Sequence, residues 1–381
     1  MRALGQAWAD FRIKDRTSGK VIMGQRYCLL ALFAIGTFMG SALAAPPQKE
    51  DSDVTILHIT VNMVQLDVAV TDNKGRYVTG LGPGNFQVYE DGIREKIAAF
   101  GEENGAPRNV HYSGPGGKVP QLGAFVIDGA AGANGIAPSS PGASVFVLFD
   151  TSNYMYRGFA LARDAIAQFV RSLDRADRVA FYSYSRDFFR ASPLGDKPTQ
   201  VLEAVRSTVA GDDAALYNAL LWTLKDADKF SGRRVIVVFS NGPDDASMVS
   251  PEDVRELAQS EGIPIYMIST REAERDPLST AVFKRISTST GGKAYFAGHW
   301  QDQEKAFASI RADLAHLYTI SYYPAPNPNN GWRKITVEVK GKNPKKYSIR
   351  TRTGYRPRVL PEASETIPTD TAPLPKSAGG R

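Results

Sequence analysis

The spacing of apolar and polar positions divides this chain into three regimes. Between 54 and 100, apolar residues tend to fall at every second position, as in VTILHITVNMVQLDVAVTD (54–72), Phe86–Tyr89 and Lys96–Phe100. A period of two marks strands with one buried face. Asn73-Lys74-Gly75 and Asp91-Gly92 supply turns, and Arg76–Val78 reads as a further short strand. No helical spacing of useful length interrupts this stretch, so residues 53–100 read as a small β-sandwich-like domain.

From 145 the pattern changes. VFVLFD (145–150) is a continuous apolar run that ends on an acid. Such a run is a strand buried on both faces, as in parallel sheets. A helix is predicted over 158–173, where Phe159, Ala162, Ile166, Phe169, Val170 and Leu173 share one stripe. A strand at 179–185, helices at 199–209 and 215–229, and a strand at 234–240 follow. Then come a helix at 251–261 opened by Ser250-Pro251-Glu252-Asp253, a strand at 263–269, and helices at 278–290 and 303–317. This alternation predicts an α/β, doubly wound Rossmann-like core over 144–316. Strands return at 317–324, 333–340 and 347–355, so 317–357 reads as a C-terminal β segment that packs with the N-terminal one.

Composition fills the gaps. Residues 101–143 are a Gly/Pro/Ala-rich linker, with one short strand expected near Gly123–Ile127, and 358–381 is a Pro-, Ser- and Thr-rich tail that reads as disordered. Residues 1–44 have the form of a signal peptide: Arg26, an apolar run from Tyr27 to Phe38, then Ala42-Leu43-Ala44. The expectation is a secreted, periplasmic or cell-envelope protein, membrane-held only if that segment stays uncleaved. The chain's +6 charge falls to +2 without those 44 residues, which removes any case for nucleic acid. Cys28, in the same segment, is the only cysteine, so disulfides and thiol chemistry are excluded downstream.

Ligands of open α/β sheets bind beyond the carboxyl ends of the strands. Asp150 and Ser152 end the first strand, and Ser240 and Asn241 end VIVVFS, so the two tips are expected to line one site. A second reading makes Asp150 and Ser152 a strand-end turn that bonds backbone N–H groups. Enzyme chemistry finds no purchase. There is no Gly-x-Ser-x-Gly elbow, no phosphate-binding loop, and no second acid in Asp150-Thr151-Ser152-Asn153-Tyr154. His58, His111, His299 and His316 are scattered.

These residues resemble a von Willebrand factor type A domain, and the chain from about 55 to 357 resembles the VWFA-related proteins of the acidobacterial type. That likeness is carried by LGPGNFQVYEDGIREKIAAF (81–100), then the α/β core, then Tyr318, Tyr322-Tyr323-Pro324, Gly331-Trp332-Arg333-Lys334-Ile335, Val337, Val339 and Gly354-Tyr355. The resemblance implies a metal-ion-dependent adhesion site with the pattern Asp-x-Ser-x-Ser, a Thr from a second loop and an Asp from a third. Asp150 and Ser152 match. Tyr154 stands for the second Ser, Ala214 for the Thr and Asn241 for the third-loop Asp, so the site is degenerate. Mg²⁺ is the cofactor such a site would take; with these substitutions weak binding or none is expected, the alternative being a site rebuilt from Asp212, Asp213, Asp244 and Asp245. The expected function is that of an exported bacterial binding protein for an unidentified protein partner, with Asp150, Ser152, Tyr154, Tyr156, Asp212, Asp213, Asn241 and Asp244 as contact residues. The alternatives are a structural envelope component, a metal-competent module with a rebuilt site, and an unrecognised enzyme.

Overall fold

The structure is a computed structural model that describes residues 13–15, 63–102, 108–109, 142–174, 177–340 and 346–357. In chain order the strands are β1 (Ile13–Asp15), β2 (Val64–Asp72), β3 (Phe86–Glu90), β4 (Ile93–Glu95), β5 (Ile97–Glu102), β6 (Arg108–Asn109), β7 (Ser144–Asp150), β8 (Arg178–Tyr184), β9 (Phe188–Gly195), β10 (Arg234–Phe239), β11 (Ile265–Thr270), β12 (Ala294–Ala297), β13 (Tyr318–Tyr322), β14 (Arg333–Val339), β15 (Tyr347–Arg350) and β16 (Gly354–Tyr355). The helices are α1 (Phe159–Ser172), α2 (Pro198–Arg206), α3 (Leu216–Ala227), α4 (Pro251–Glu261), α5 (Pro277–Thr290) and α6 (Glu304–His316).

The large sheet runs β1-β9-β8-β7-β10-β11-β12. All its pairings are parallel except β8 with β9. β7 is buried at every position. Val145, Val147 and Phe149 face a core closed by α1, α2 and α6, while Phe146 and Leu148 face a second core closed by α3, α4 and α5. The continuous apolar runs therefore have the cause expected of them, helices on both faces of a mostly parallel sheet.

The flanking segments form two antiparallel sheets, β15-β2-β13-β5-β6 and β16-β14-β3-β4, around a separate core that includes Leu66, Val88, Ile320 and Val337. Burial alternates strictly along β14. Strands from before and after the α/β core share both sheets, through β2 with β13 and β3 with β14.

Two buried carboxylates hold these layers. Glu90, fully buried, accepts hydrogen bonds from the Tyr322 and Tyr355 hydroxyls at 2.9 Å each and pairs with Arg333 Nη1 at 2.8 Å. Asp313, also fully buried, accepts from the hydroxyls of Tyr266 (3.0 Å) and Tyr77, and from the Arg350 guanidinium. Arg352 completes the junction by donating to the carbonyls of Ser260 (3.1 Å), Gln259 and Gln65 (2.8 Å). Gly291 closes α5 at φ +89°, and a Cβ there would stand 3.1 Å from the Arg352 nitrogen, so the junction requires glycine on both counts.

The structure departs from the sequence reading at several elements. Arg76–Val78 is no strand, only a single bridge from Tyr77 to Thr71. β9 and β12 were not expected. β9 contains Pro193 and Arg190, which argue against a strand unless it lies near a sheet edge, where β9 is. The expected strand 347–355 breaks at Thr351–Thr353 into β15 and β16, which belong to different sheets. Gly123–Ile127, the tail from 358, and all of the expected leader but Ile13–Asp15 lie outside the described residues. Among the described residues no helix is long and apolar enough to cross a membrane.

Removing Glu90 strands a buried guanidinium. Glu90→Ala is expected to cost about 3–5 kcal/mol, as for any buried pair that loses one member. Asp72→Ala, whose Arg76 partner is 73% exposed, should cost far less. Urea denaturation of both variants checks the contrast, and equal losses would show that Glu90 is not the support it is taken for.

Candidate functional site

β7, β8, β10 and β11 all deliver their carboxyl ends to one edge, and the loops after them make a crest. The loop before α3 joins it, because Gly211 N–H donates to the Thr151 carbonyl at 2.7 Å and Asn153 N–H to the Asp212 carbonyl at 2.7 Å. Gly211 is needed for this approach, since a Cβ there would stand 2.3 Å from Ser185 Oγ.

Asp150 lies at the centre and is fully buried. Its Oδ1 accepts from Ser152 N–H at 2.8 Å and its Oδ2 from the Ser240 hydroxyl at 2.6 Å. The two strand tips thus meet, as the sequence suggested. Burial pushes the Asp150 carboxyl above its ordinary range, with the Ser240 and Ser152 hydrogen bonds opposing the shift. Tyr184, register partner of Asp150 on β8, is also fully buried, and its phenol is pushed well up by burial and then by the Asp150 charge. Ser152 Oγ is buried without a hydrogen-bond partner.

The other positions of the adhesion-site pattern are occupied in ways unsuited to a cation. The Tyr154 ring lies where a side chain on Gly242 would be, 2.5 Å from such a Cβ, and its hydroxyl donates to Asp245 at 3.1 Å. Ala214 presents only a methyl group, and its N–H donates to Asp245 Oδ1 at 2.7 Å. Asn241 Oδ1 is taken up by Thr270 N–H (2.8 Å) and the Ser269 (2.9 Å) and Thr270 (3.1 Å) hydroxyls, on the β11 side. The neighbouring acids are also engaged. Asp244 accepts from Tyr217 N–H, Ser247 N–H and the Ser247 hydroxyl, Asp213 pairs with Arg186, and Asp212 accepts from Tyr156 at 3.3 Å. Among the described residues no group of three or more His, Cys, Asp or Glu could hold a metal ion. Mg²⁺ keeps several waters of its own but needs one or two carboxylates open to it, and here Asp150 is taken up by Ser152 N–H and the Ser240 hydroxyl while the acids around it are engaged as described. The donor set does not fit a resident Mg²⁺.

What the crest offers instead is apolar surface. Eight large hydrophobic side chains are exposed among the described residues, and six stand at this edge: Tyr154, Tyr156, Leu161, Val209, Met248 and Leu278. Val209, Met248 and Leu278 each keep about 70% of their surface. Beside them lies a cavity of about 370 Å³, lined in part by Asn153, Tyr154, Arg157, Asn241 and Arg275. Sequence reasoning found Tyr154 and Tyr156 but passed over Val209, Met248, Leu278 and Arg275. An apolar residue in a loop carries no period from which its exposure can be read.

His299 and His316 are remote from Asp150 in role. His316 stacks on Tyr77 with centroids 5.2 Å apart, and His299 donates its N–H to Asp302 within its own turn. Neither serves as a base for Ser240 or Ser152.

Two measurements follow. Titration of Mg²⁺ and Mn²⁺ by calorimetry should give no saturable heat, and a saturable isotherm abolished by Asp150→Ala would restore the metal site. The Asp150 shift also sets a pH dependence. A carboxyl raised above its ordinary 3.8 contributes stability below that pH and loses the contribution as pH rises through its folded value. Asp150→Asn should therefore gain in melting temperature relative to the unaltered protein at pH 7, and the gain should shrink toward acid. A difference that does not vary with pH would contradict the assignment.

Residues 144–309 match the von Willebrand factor type A domain family. Among solved structures, the chain is similar to the conserved hypothetical protein BatB from Bacteroides thetaiotaomicron, at 16% identity over 45% of this chain and 97% of that one, with TM-score 0.37. It is similar to von Willebrand factor type A from Catenulispora acidiphila, at 10% identity over 57% and 67%, with TM-score 0.40. It is also similar to the vWF domain of the type V pili tip protein Mfa5 from Porphyromonas gingivalis, at 11% identity over 45% and 94%, with TM-score 0.38. No curated protein matches the chain.

Proposed function

We propose that residues 144–309, a von Willebrand factor type A domain, bind a protein partner through the crest without a resident metal, in an exported bacterial protein. The observation that carries this reading is the coincidence of two features at one edge. The positions that would ligate a cation are filled by a phenol ring, a methyl group and an engaged amide. The same edge gathers six of the eight exposed large hydrophobics. Exposed apolar patches of this kind mark interaction sites, and aromatic side chains and methionine are enriched in interfaces. The Tyr156 hydroxyl, donated to the Gly211 carbonyl at 2.7 Å, holds its ring in place across the crest, so little side-chain freedom is lost on binding.

The function is recognition and not turnover. Asp150 and Ser240 satisfy each other, and among the described residues His299 and His316 are engaged elsewhere, with Asp302 and Tyr77. The flanking β segments serve as a base for the domain, joined to it where Asp313 meets Tyr77 and Arg350 and where Arg352 meets the Gln259 and Ser260 carbonyls.

A photo-crosslinking residue placed at Tyr156, Val209 or Met248 should capture partner protein in the source cell, equally well with and without chelator. The same residue at Lys340, on the β sheets, should not. Capture only from Lys340, or capture abolished by chelator, would refute the metal-free crest.

A further inference from the structure

Three guanidiniums stand beside the crest with little to engage them. Arg157 lies in the turn after β7, and Arg271 and Arg275 lie around the short turn after β11. Arg157 and Arg275 approach the same oxygen, Glu272 Oε1, at 4.0 and 3.7 Å, and keep 84% and 77% of their side-chain surface. These distances are beyond hydrogen bonding. Arg271 has no side-chain partner among the described residues. Arg157, Glu272 and Arg275 all line the 370 Å³ cavity and also an adjoining one of about 360 Å³, so they stand between the two.

The balance of donors and acceptors here is lopsided. Each guanidinium offers five N–H groups and accepts nothing. At the second cavity, the Trp300 indole N–H is buried without an acceptor, packed against Gly158. Of the acids nearby, Asp276 is used by Leu278 N–H and the Ser279 hydroxyl, and Asp302 by His299 N–H. That leaves the Glu272 carboxylate, half-shared, and the exposed Glu274 on the same turn, against three arginines. Arginine takes a carboxylate best through two parallel N–H bonds, which Glu272 gives to neither neighbour.

We infer that Arg157 and Arg275 are the anchor for an acidic side chain on the protein partner, which displaces Glu272 from between them. The inference rests on the crest being the binding face and names the chemistry that face selects. The occupant is a protein segment in which acids alternate with apolar residues, because Tyr154 borders the first cavity, Leu161 the second, and Leu278 adjoins Asp276.

The test uses the full chain and a short labelled peptide of alternating Glu and Leu, beside its Gln-Leu counterpart, followed by fluorescence anisotropy. The Glu peptide should bind about tenfold more tightly than the Gln peptide, with a preference that weakens as salt rises. Arg157→Gln with Arg275→Gln should erase the preference. Both side chains are solvent-exposed, so an unchanged melting curve will show the fold intact. Glu272→Gln should tighten the Glu peptide, by removing the internal competitor. Equal binding of the two peptides, or an unaffected double variant, overturns the anchor. If Tyr156→Ser and Met248→Ser still weaken both peptides in that case, the apolar crest survives without it, whereas indifference to all four changes removes the crest as well. A stronger response to anionic lipid vesicles than to the Glu peptide, lost in the double variant, overturns the protein segment as occupant.

Discussion

One buried carboxylate ties the two halves of this molecule together. Asp313 lies on the last helix of the α/β core, out of water, and its partners come from three places in the chain: Tyr77 after β2, Tyr266 within β11, and Arg350 at the end of β15. A buried charge is tolerated only when it is paired and hydrogen-bonded. Asp313 is therefore satisfied only when the N-terminal β segment, the central sheet and the C-terminal β segment are all in place. The Tyr77 phenol is correspondingly pushed far up, first by burial and then by the Asp313 charge. The crest loop after β11 is carried on a strand whose opposite end, at Tyr266, is held by this junction.

Much of the architecture was legible because burial on two faces leaves a plain mark. β7, β10 and β11 are apolar runs and could be read as such, and α1 and α4 follow from a stripe and a cap. β9 was illegible because, second from the sheet edge, it accommodates Pro193 and carries Arg190, which belongs to an ion pair with Asp226 and not to a core. Within the flanking segments the residues that gave the family likeness had no visible reason to recur. The structure supplies one. Glu90, Tyr322, Arg333 and Tyr355, scattered across 266 positions of sequence, meet in one buried cluster. Those motifs are support for the fold and not part of the crest.

The position of Asp150 was legible, but its partners were not. Asp150 and Ser152 could be placed at a strand tip, and the turn-and-cap reading of Asp150 agrees with its bond to Ser152 N–H. The acidic loops were ambiguous because their partners are backbone N–H groups and hydroxyls from other loops, such as Ala214, Tyr217 and Ser247, which no local pattern predicts. Substitution of ligands has a physical logic here. Once a methyl group and a phenol replace two hydroxyls, a cation would lack oxygens, and the remaining acids lower their energy by ordering loops. On the metal-free reading proposed above, these bonds are what hold the loops that carry Tyr154, Tyr156 and Met248.

The shared sheets also fix an order of events at the ribosome. β13 pairs with β2 and β5, and β14 with β3, yet β13 begins more than two hundred residues after β5 ends. During synthesis the first β segment emerges with its edges open and waits while the entire α/β core is made. The core, with its mostly consecutive strands and helices, can close on its own contacts in that interval. When it does, its first strand and last helix bring residues 144 and 316 into one compact body, and the loop that β2 and β13 must close shrinks from the length of the core to little more than its ends. Truncation before β13 would therefore leave exposed strand edges on β2, β5 and β3, prone to pair with other chains.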